Sequence, residues 1–233
     1  MLAFIRYQFI SFGKSLKFIP PVAIFCTWVF ILYTYKNVPI LSSYAVSSIA
    51  IYLIMTWITM TIFTLDEESE KHILISHLGR KVNYLFGKWL TVLVIMIPLL
   101  LFAIFYPIIA DSFIGNMSPK LYLYTFYSHL IFVAFGIIVG TLFSATKLET
   151  KKYAWLSSVL IIVVSIGSKS IIEVMPFFKW ILWTFPPVFK VIGYMEEDQL
   201  LISKPFIFDS IFVVAYIILG AAMLIPLFLK KES

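Results

Sequence analysis

Six long apolar runs constrain this chain more than any other feature. They are Phe18–Tyr35, Leu41–Leu65, Leu90–Ala110, Leu121–Ser144, Tyr153–Ile172 and Asp209–Leu229. An α-helix needs roughly 20 predominantly apolar residues, within a range of about 17–25, to cross a hydrocarbon core. Apolar alternation with period two, the mark of a membrane β-strand, is absent, so the runs are expected to satisfy their backbone groups as helices. Composition closes the alternative. Apolar residues make up 61% of the 233 residues and charged residues 13%, against about 45–50% and about 25% in ordinary globular chains. So few charges cannot cover a water-facing surface, which excludes a soluble enzyme. The expectation is an all-α membrane protein with one transmembrane domain over residues 1–233.

Orientation follows from Lys and Arg, which number 18 and leave a net charge of +6. Arg6, Lys14, Lys17, Lys71, Arg80, Lys81, Lys88, Lys147, Lys151, Lys152, Lys230 and Lys231 fall on one side of the six runs. Lys36, Lys120, Lys169, Lys179, Lys190 and Lys204 fall on the other. Cytoplasmic loops carry the cationic excess, which places the first set and both termini inside. In so apolar a chain the positive charge reads as membrane orientation, with no nucleic-acid partner expected. No small-residue cleavage site follows the first run, so it is read as a span and not as a signal peptide.

Three segments between the spans carry pattern. Within residues 1–17, Leu2, Ile5, Phe9, Phe12 and Leu16 recur on one helical stripe with Arg6, Lys14 and Lys17 off it, which predicts an amphipathic helix lying on lipid. Residues 66–89 begin with Asp66, Glu67, Glu68 and Glu70, where the positive end of a helix dipole favours them. Leu74 and Leu78 lie four apart, Gly79 is a natural helix stop, and Arg80 and Lys81 follow. Helical periodicity then restarts at Val82, Leu85, Phe86 and Trp89. That pattern predicts a cytoplasmic helical hairpin able to dock a partner. Residues 173–208 are aromatic and Pro-rich, which predicts external interfacial or re-entrant helices, with Glu196, Glu197 and Asp198 as an acidic turn.

Six spans, an amphipathic N-terminal helix and an acidic helix after span two resemble the ABC-2-type permease family. Its cytoplasmic segment often reads as acids, a Leu-rich turn, a small residue, Arg, then Gly-Lys entering span three. This chain has Asp66-Glu67-Glu68, Ile73-Leu74-Ile75, Leu78-Gly79-Arg80 and Gly87-Lys88 in that order. The resemblance also extends to small permeases of bacterial peptide exporters, including the phenol-soluble modulin exporter. It implies a permease half in a bacterial cell membrane, paired with a second copy or a sister permease. It further implies a separate cytoplasmic ABC ATPase gripping the segment after span two, here through Glu67, Glu68, Glu70, Leu74, Leu78 and Arg80. ATP and Mg would then sit on that partner.

Several chemistries are missing. No Gly-x4-Gly-Lys-Ser/Thr run occurs, so the chain has no phosphate-cradling loop and is not expected to be an enzyme. His72 and His77 are five apart, off the spacing of a helical metal pair, and the solitary Cys26 can form no intrachain disulfide; no metal or cofactor is expected on this chain. Gly136-x3-Gly140 permits close helix approach, and Ser42, Ser43, Ser47 and Ser48 suggest tight packing at the start of span two. His129 and Lys169 are ionisable residues near external span ends, read as a packed or interface-facing histidine and a snorkelling lysine. The leading expectation is export of an amphipathic or hydrophobic substrate, a peptide or a lipid-like molecule. The alternative is an intramembrane protease or lipid-modifying enzyme built on Glu67, Glu68 and a histidine. A secondary transporter ranks third.

Overall fold

The computed structural model describes residues 1–147, 153–195 and 203–232. In chain order the helices are α1 (Leu2–Lys14), α2 (Ile19–Leu32), α3 (Ile40–Phe63), α4 (Glu68–Leu78), α5 (Lys81–Ile109), α6 (Pro119–Ala145) and α7 (Ala154–Val174). A 3₁₀ turn at Pro176–Phe178, short helices α8 (Lys179–Leu182) and α9 (Phe189–Ile192), and α10 (Lys204–Lys231) complete the order. Proline marks several starts, because its missing N–H is harmless in a first turn. Pro20 and Pro21 open α2, Pro119 opens α6 and Pro205 opens α10.

Among the described residues five helices, α3, α5, α6, α7 and α10, are long and apolar enough to cross a membrane, so the chain has the architecture of a multi-pass membrane protein. The expected first span differs from the other five. Its helix, α2, has only 14 residues and meets α1 at a bend of 79°; the bent pair together would make a sixth crossing. The bend falls at Leu16, whose φ of 57° lies in the left-handed region. The run Phe18–Tyr35 outlasts α2 because polar groups at the far end of α5 capture its last turn. Ser112 donates its hydroxyl hydrogen bond to the Tyr33 carbonyl at 2.9 Å, and Lys36 Nζ donates to the Asp111 carbonyl at 3.0 Å. An isolated backbone bridge joins Val38 to Phe113 beside them. The segment Tyr33–Val38 is therefore held against the end of α5 and the turn after it.

α3 and α6 form the centre of the bundle. Their most apolar windows are 61% enclosed, against 22% for α7 and 17% for α10, so the last two are peripheral. Gly136 and Gly140 lie on this central seam. A Cβ at Gly136 would sit 2.8 Å from Met55 Cβ and 3.0 Å from the Thr56 nitrogen; one at Gly140 would sit 2.6 Å from Thr59 Cβ and 2.8 Å from the Thr56 oxygen. Only glycine lets the two backbones approach this closely.

α1, α4, the start of α5 and the end of α10 gather at one end of the bundle. The opposite end carries the α5–α6 loop and the aromatic segment, where Phe177 and Trp180 stay exposed. Tyr124 donates to the Val191 carbonyl at 2.8 Å and so ties α9 to α6. Tyr194 donates to Asp209 at 2.9 Å, with Lys190 paired to the same carboxylate. Burial and that carboxylate push the Tyr194 hydroxyl up to about 12, so it remains a donor at neutral pH. α10 starts at Lys204, ahead of the expected Asp209, because Pro205 suits its first turn. Lys151, Lys152 and the acidic turn Glu196–Asp198 lie outside the described residues.

Candidate functional site

The site with the densest chemistry lies where α1, the end of α3, α4 and the start of α5 meet. Gly79, with φ 73°, ends α4 in the left-handed conformation, as glycine does at a helix C-terminus. Asn83 then donates to the Leu78 carbonyl at 2.9 Å, satisfying a group the last turn leaves open. The chain reverses at Arg80, which is exposed and extended, and enters α5 at Lys81. Two residues of the first turns of α5 then do most of the joining. At Gly87 the ring of Phe4 lies where a Cβ would stand, 2.5 Å from it, so α1 packs directly on the α5 backbone. Lys88 follows and is fully buried.

Lys88 Nζ lies 2.8 Å from Asp66 Oδ2, and the two side chains are 0% and 1% exposed. The same ammonium donates to Gln8 Oε1 at 2.8 Å and to the Ile62 carbonyl at 2.7 Å. All three of its protons are used. Ile62 O belongs to the last turn of α3, where carbonyls lack helical partners and a cation is favoured. Asp66 also accepts Gln8 Nε2 at 3.0 Å on both oxygens and the Tyr84 hydroxyl at 2.8 Å. A buried pair repays its desolvation only with this kind of surrounding hydrogen bonding. Three segments far apart in sequence, α1, the end of α3 with the turn after it, and the start of α5, are thus held by one closed polar knot.

The knot corrects the sequence expectation at Asp66, which is placed there among the acids of the α4 dipole. It adds burial to Lys88, which the sequence puts on the cytoplasmic side at the entry to span three. The structure leaves Asp66 outside the helix, with Glu68 and Glu70 in its first turn and Glu67 as its N-cap. Gln8 and Tyr84 were not singled out. The available signal was Phe4, Gln8 and Phe12 at helical spacing; that face of α1 turns inward, whereas the anticipated stripe leaves Leu2, Phe9 and Leu16 exposed. Phe12 alone is common to both.

Among the expected coupling residues, Glu70 accepts the Tyr7 hydroxyl, which ties α4 to α1. Glu67, Glu68 and Arg80 are exposed. Leu74 and Leu78 are half-buried and pack toward Phe4, Tyr84, Leu85 and Phe228. The reason is geometric: the hairpin folds back on α5, and its own bundle covers the leucines that were expected to await a partner. The outward apolar residue is Ile73, 59% exposed, beside exposed His72 and His77. Lys71 pairs with Glu232 and brings the end of α10 to α4.

A second polar cluster lies toward the opposite end. His129 is fully buried on α6, with Nδ1 2.8 Å from the Thr125 carbonyl and Nε2 2.9 Å from Ser47 Oγ. A carbonyl only accepts, so Nδ1 carries the proton and Nε2 accepts from Ser47. Ser48 lies 3.2 Å from Nδ1. Ser48 and the end of α3 are fifteen residues apart, so His129 is roughly 22 Å from the turn bearing Glu67 and Glu68. Ser43 and Ser47 are buried and Ser42 is exposed. Lys169 is exposed near the end of α7. Among the described residues, no group of three or more His, Cys, Asp or Glu is placed to hold a metal ion.

No family model matches the chain, and no curated protein or solved structure matches it either.

Proposed function

We propose that the chain is the membrane-spanning permease subunit of a bacterial ABC exporter, driven by a separate cytoplasmic ATPase. It crosses the membrane six times, with α1 on the interface, α2 completing the first crossing and both termini in the cytoplasm. A second copy or a sister permease completes the path. The exported substrate is an amphipathic peptide, in keeping with walls that offer few polar groups to a small hydrophilic solute. ATP and Mg belong to the partner.

The observation that carries this reading is the two-sided character of α4. Its outer face offers Glu67, Glu68, Ile73 and Arg80 to the aqueous phase. Its inner face rests on α1 and α5, beside the knot that fastens both to the end of α3. A partner displacing α4 would move α1, α3 and α5 together. Because Gly136 and Gly140 lock α6 onto α3, those helices follow as one unit, sliding against the less enclosed α7 and α10. The protease alternative needs a histidine beside Glu67 and Glu68 in a membrane-buried site. The residues nearest that description, Glu67, Glu68 and His72, are all exposed, which favours docking over catalysis.

Two measurements test the reading. Purification in mild detergent should bring down an ATPase subunit with a phosphate-binding loop; a reproducibly ATPase-free, functional preparation would remove the proposal. For orientation, Ser69→Cys in a Cys26→Ser background should resist an impermeant thiol reagent in intact cells, whereas Asn116→Cys should react. Both positions are exposed in the structure, so the reverse pattern would invert every assignment of inside and outside.

A further inference from the structure

A cleft of about 1010 Å³ opens at the end of the bundle that carries α4, bounded by the ends of α3, α6 and α10 and the start of α7. Its walls include Trp57, Met60, Phe143 and Trp155, all near the ends of apolar helices. Tryptophan at such a level marks the boundary between headgroup and hydrocarbon. From the cleft a narrow groove continues between α3 and α7, lined by Leu53, Thr56, Trp57, Met60, Val159 and Ile162. Leu53 and Met60 are seven residues apart on α3, so the groove climbs about 10 Å into the apolar layer. The polar mouth suits one headgroup; the slot beyond it holds only about 20 Å³, so an acyl chain would lie along its opening against α3 and α7.

The rim chooses among headgroups. Asp66 and Glu232 also line the cleft, but Lys88 and Lys71 neutralise them. Of the remaining carboxylates, Glu67 and Glu68 are exposed, with no side-chain partner among the described residues, and Lys17 stands exposed at the same rim; Lys231 donates to the Ser144 carbonyl at 3.4 Å. Both signs of charge therefore face one opening. A purely anionic headgroup would meet the two glutamates, and a headgroup without a small amine would leave them unmatched. We propose that this cleft binds an aminophospholipid of the inner leaflet. Its phosphate lies toward Lys17, its primary ammonium toward Glu67 and Glu68, and one acyl chain lies along the opening of the α3–α7 groove.

The inference takes only its leaflet from the proposed topology and nothing from the ATPase. Native mass spectrometry of the full chain, released from nanodiscs of equal phosphatidylethanolamine, phosphatidylglycerol and phosphatidylcholine, should show the ethanolamine lipid retained about 3–5-fold over the others. That range is what one or two partly screened ion pairs supply. Glu67→Lys with Glu68→Lys should transfer the preference to phosphatidylglycerol, and Lys17→Glu should lower retention of both. These are surface substitutions, so the variants should still fold, with only the small cost of reversing charge at the first turn of α4. Equal retention of the three lipids, or an ethanolamine preference unchanged in the double lysine variant, would overturn the assignment. So would cross-linking of Trp155→Cys to a second copy in the membrane, since the cleft would then be a subunit contact. Absence of a co-purifying ATPase would contradict the exporter reading and leave the lipid result standing.

Discussion

Lys88→Met alone should destabilise the protein by about 3–5 kcal/mol, whereas Lys88→Met combined with Asp66→Asn should recover most of that loss. Removing one partner of a buried pair strands the other charge without solvent, and that penalty exceeds the worth of the pair itself. Here the stranded group would be Asp66, 1% exposed, with only Gln8 and Tyr84 left to donate to it. The Ile62 carbonyl and Gln8 Oε1 would lose a donor as well. With both charges removed, the neutral amide at position 66 keeps an oxygen for Gln8 or Tyr84 and buries no charge. Equilibrium unfolding in mixed micelles of the two single variants and the double variant forms the cycle that isolates the coupling. A Lys88→Met protein as stable as wild type would mean that the pair is solvated and the knot open.

Gly136→Val with Gly140→Val should be nearly as damaging. The nearest atoms to each added Cβ include α3 backbone, at 3.0 Å from Gly136 and 2.8 Å from Gly140, so the helices must separate or slide. Overpacking of this kind costs about 1–3 kcal/mol per site. The two sites share one interface, so their costs should not simply add. Gly167 on α7 is the matched control: among the described residues the one atom within 4 Å of its added Cβ is Ile171 Cδ1, at 3.9 Å. Gly167→Ala should be neutral or stabilise by up to about 1 kcal/mol through helix propensity. Thermal melts followed by retention of the folded elution peak distinguish the two classes. Equal behaviour of the double valine variant and the Gly167→Ala control would show that α3 and α6 are not in close contact.

Much of this architecture was legible in the amino-acid order. Long apolar runs located α3, α5, α6, α7 and α10, because burying backbone polar groups in lipid leaves a helix as the only open form. Gly79 announced the end of α4, since a left-handed terminal residue costs glycine least. The first crossing was harder to read: hydropathy continues to Tyr35, but Ser112 and Lys36, drawn together by the fold, end α2 earlier. The knot was illegible for a related reason. The pattern puts Lys88 and Asp66 on the cytoplasmic side without saying whether they are buried, and their burial depends on Gln8, 80 positions from Lys88. Leu74 and Leu78 were correctly grouped on one face, but spacing alone does not say whether that face meets a partner or the chain's own α5.

The outward face of α4 gives the most direct test of the central claim, that α4 receives the ATPase and passes its motion inward. Ile73→Asp with Glu67→Lys and Glu68→Lys changes only exposed residues, so folding and membrane insertion should be preserved. Burying one isoleucine is worth about 1.5–3 kcal/mol, enough to dominate a small docking surface, and the charge reversals remove its orientation. Co-purification of the triple variant with the ATPase should therefore fall at least about tenfold while the protein still folds and inserts. Its unfolding midpoint should be lowered only by the small cost of the reversed charges at the first turn of α4. An ATPase retained at wild-type levels by a correctly folded triple variant would contradict the account.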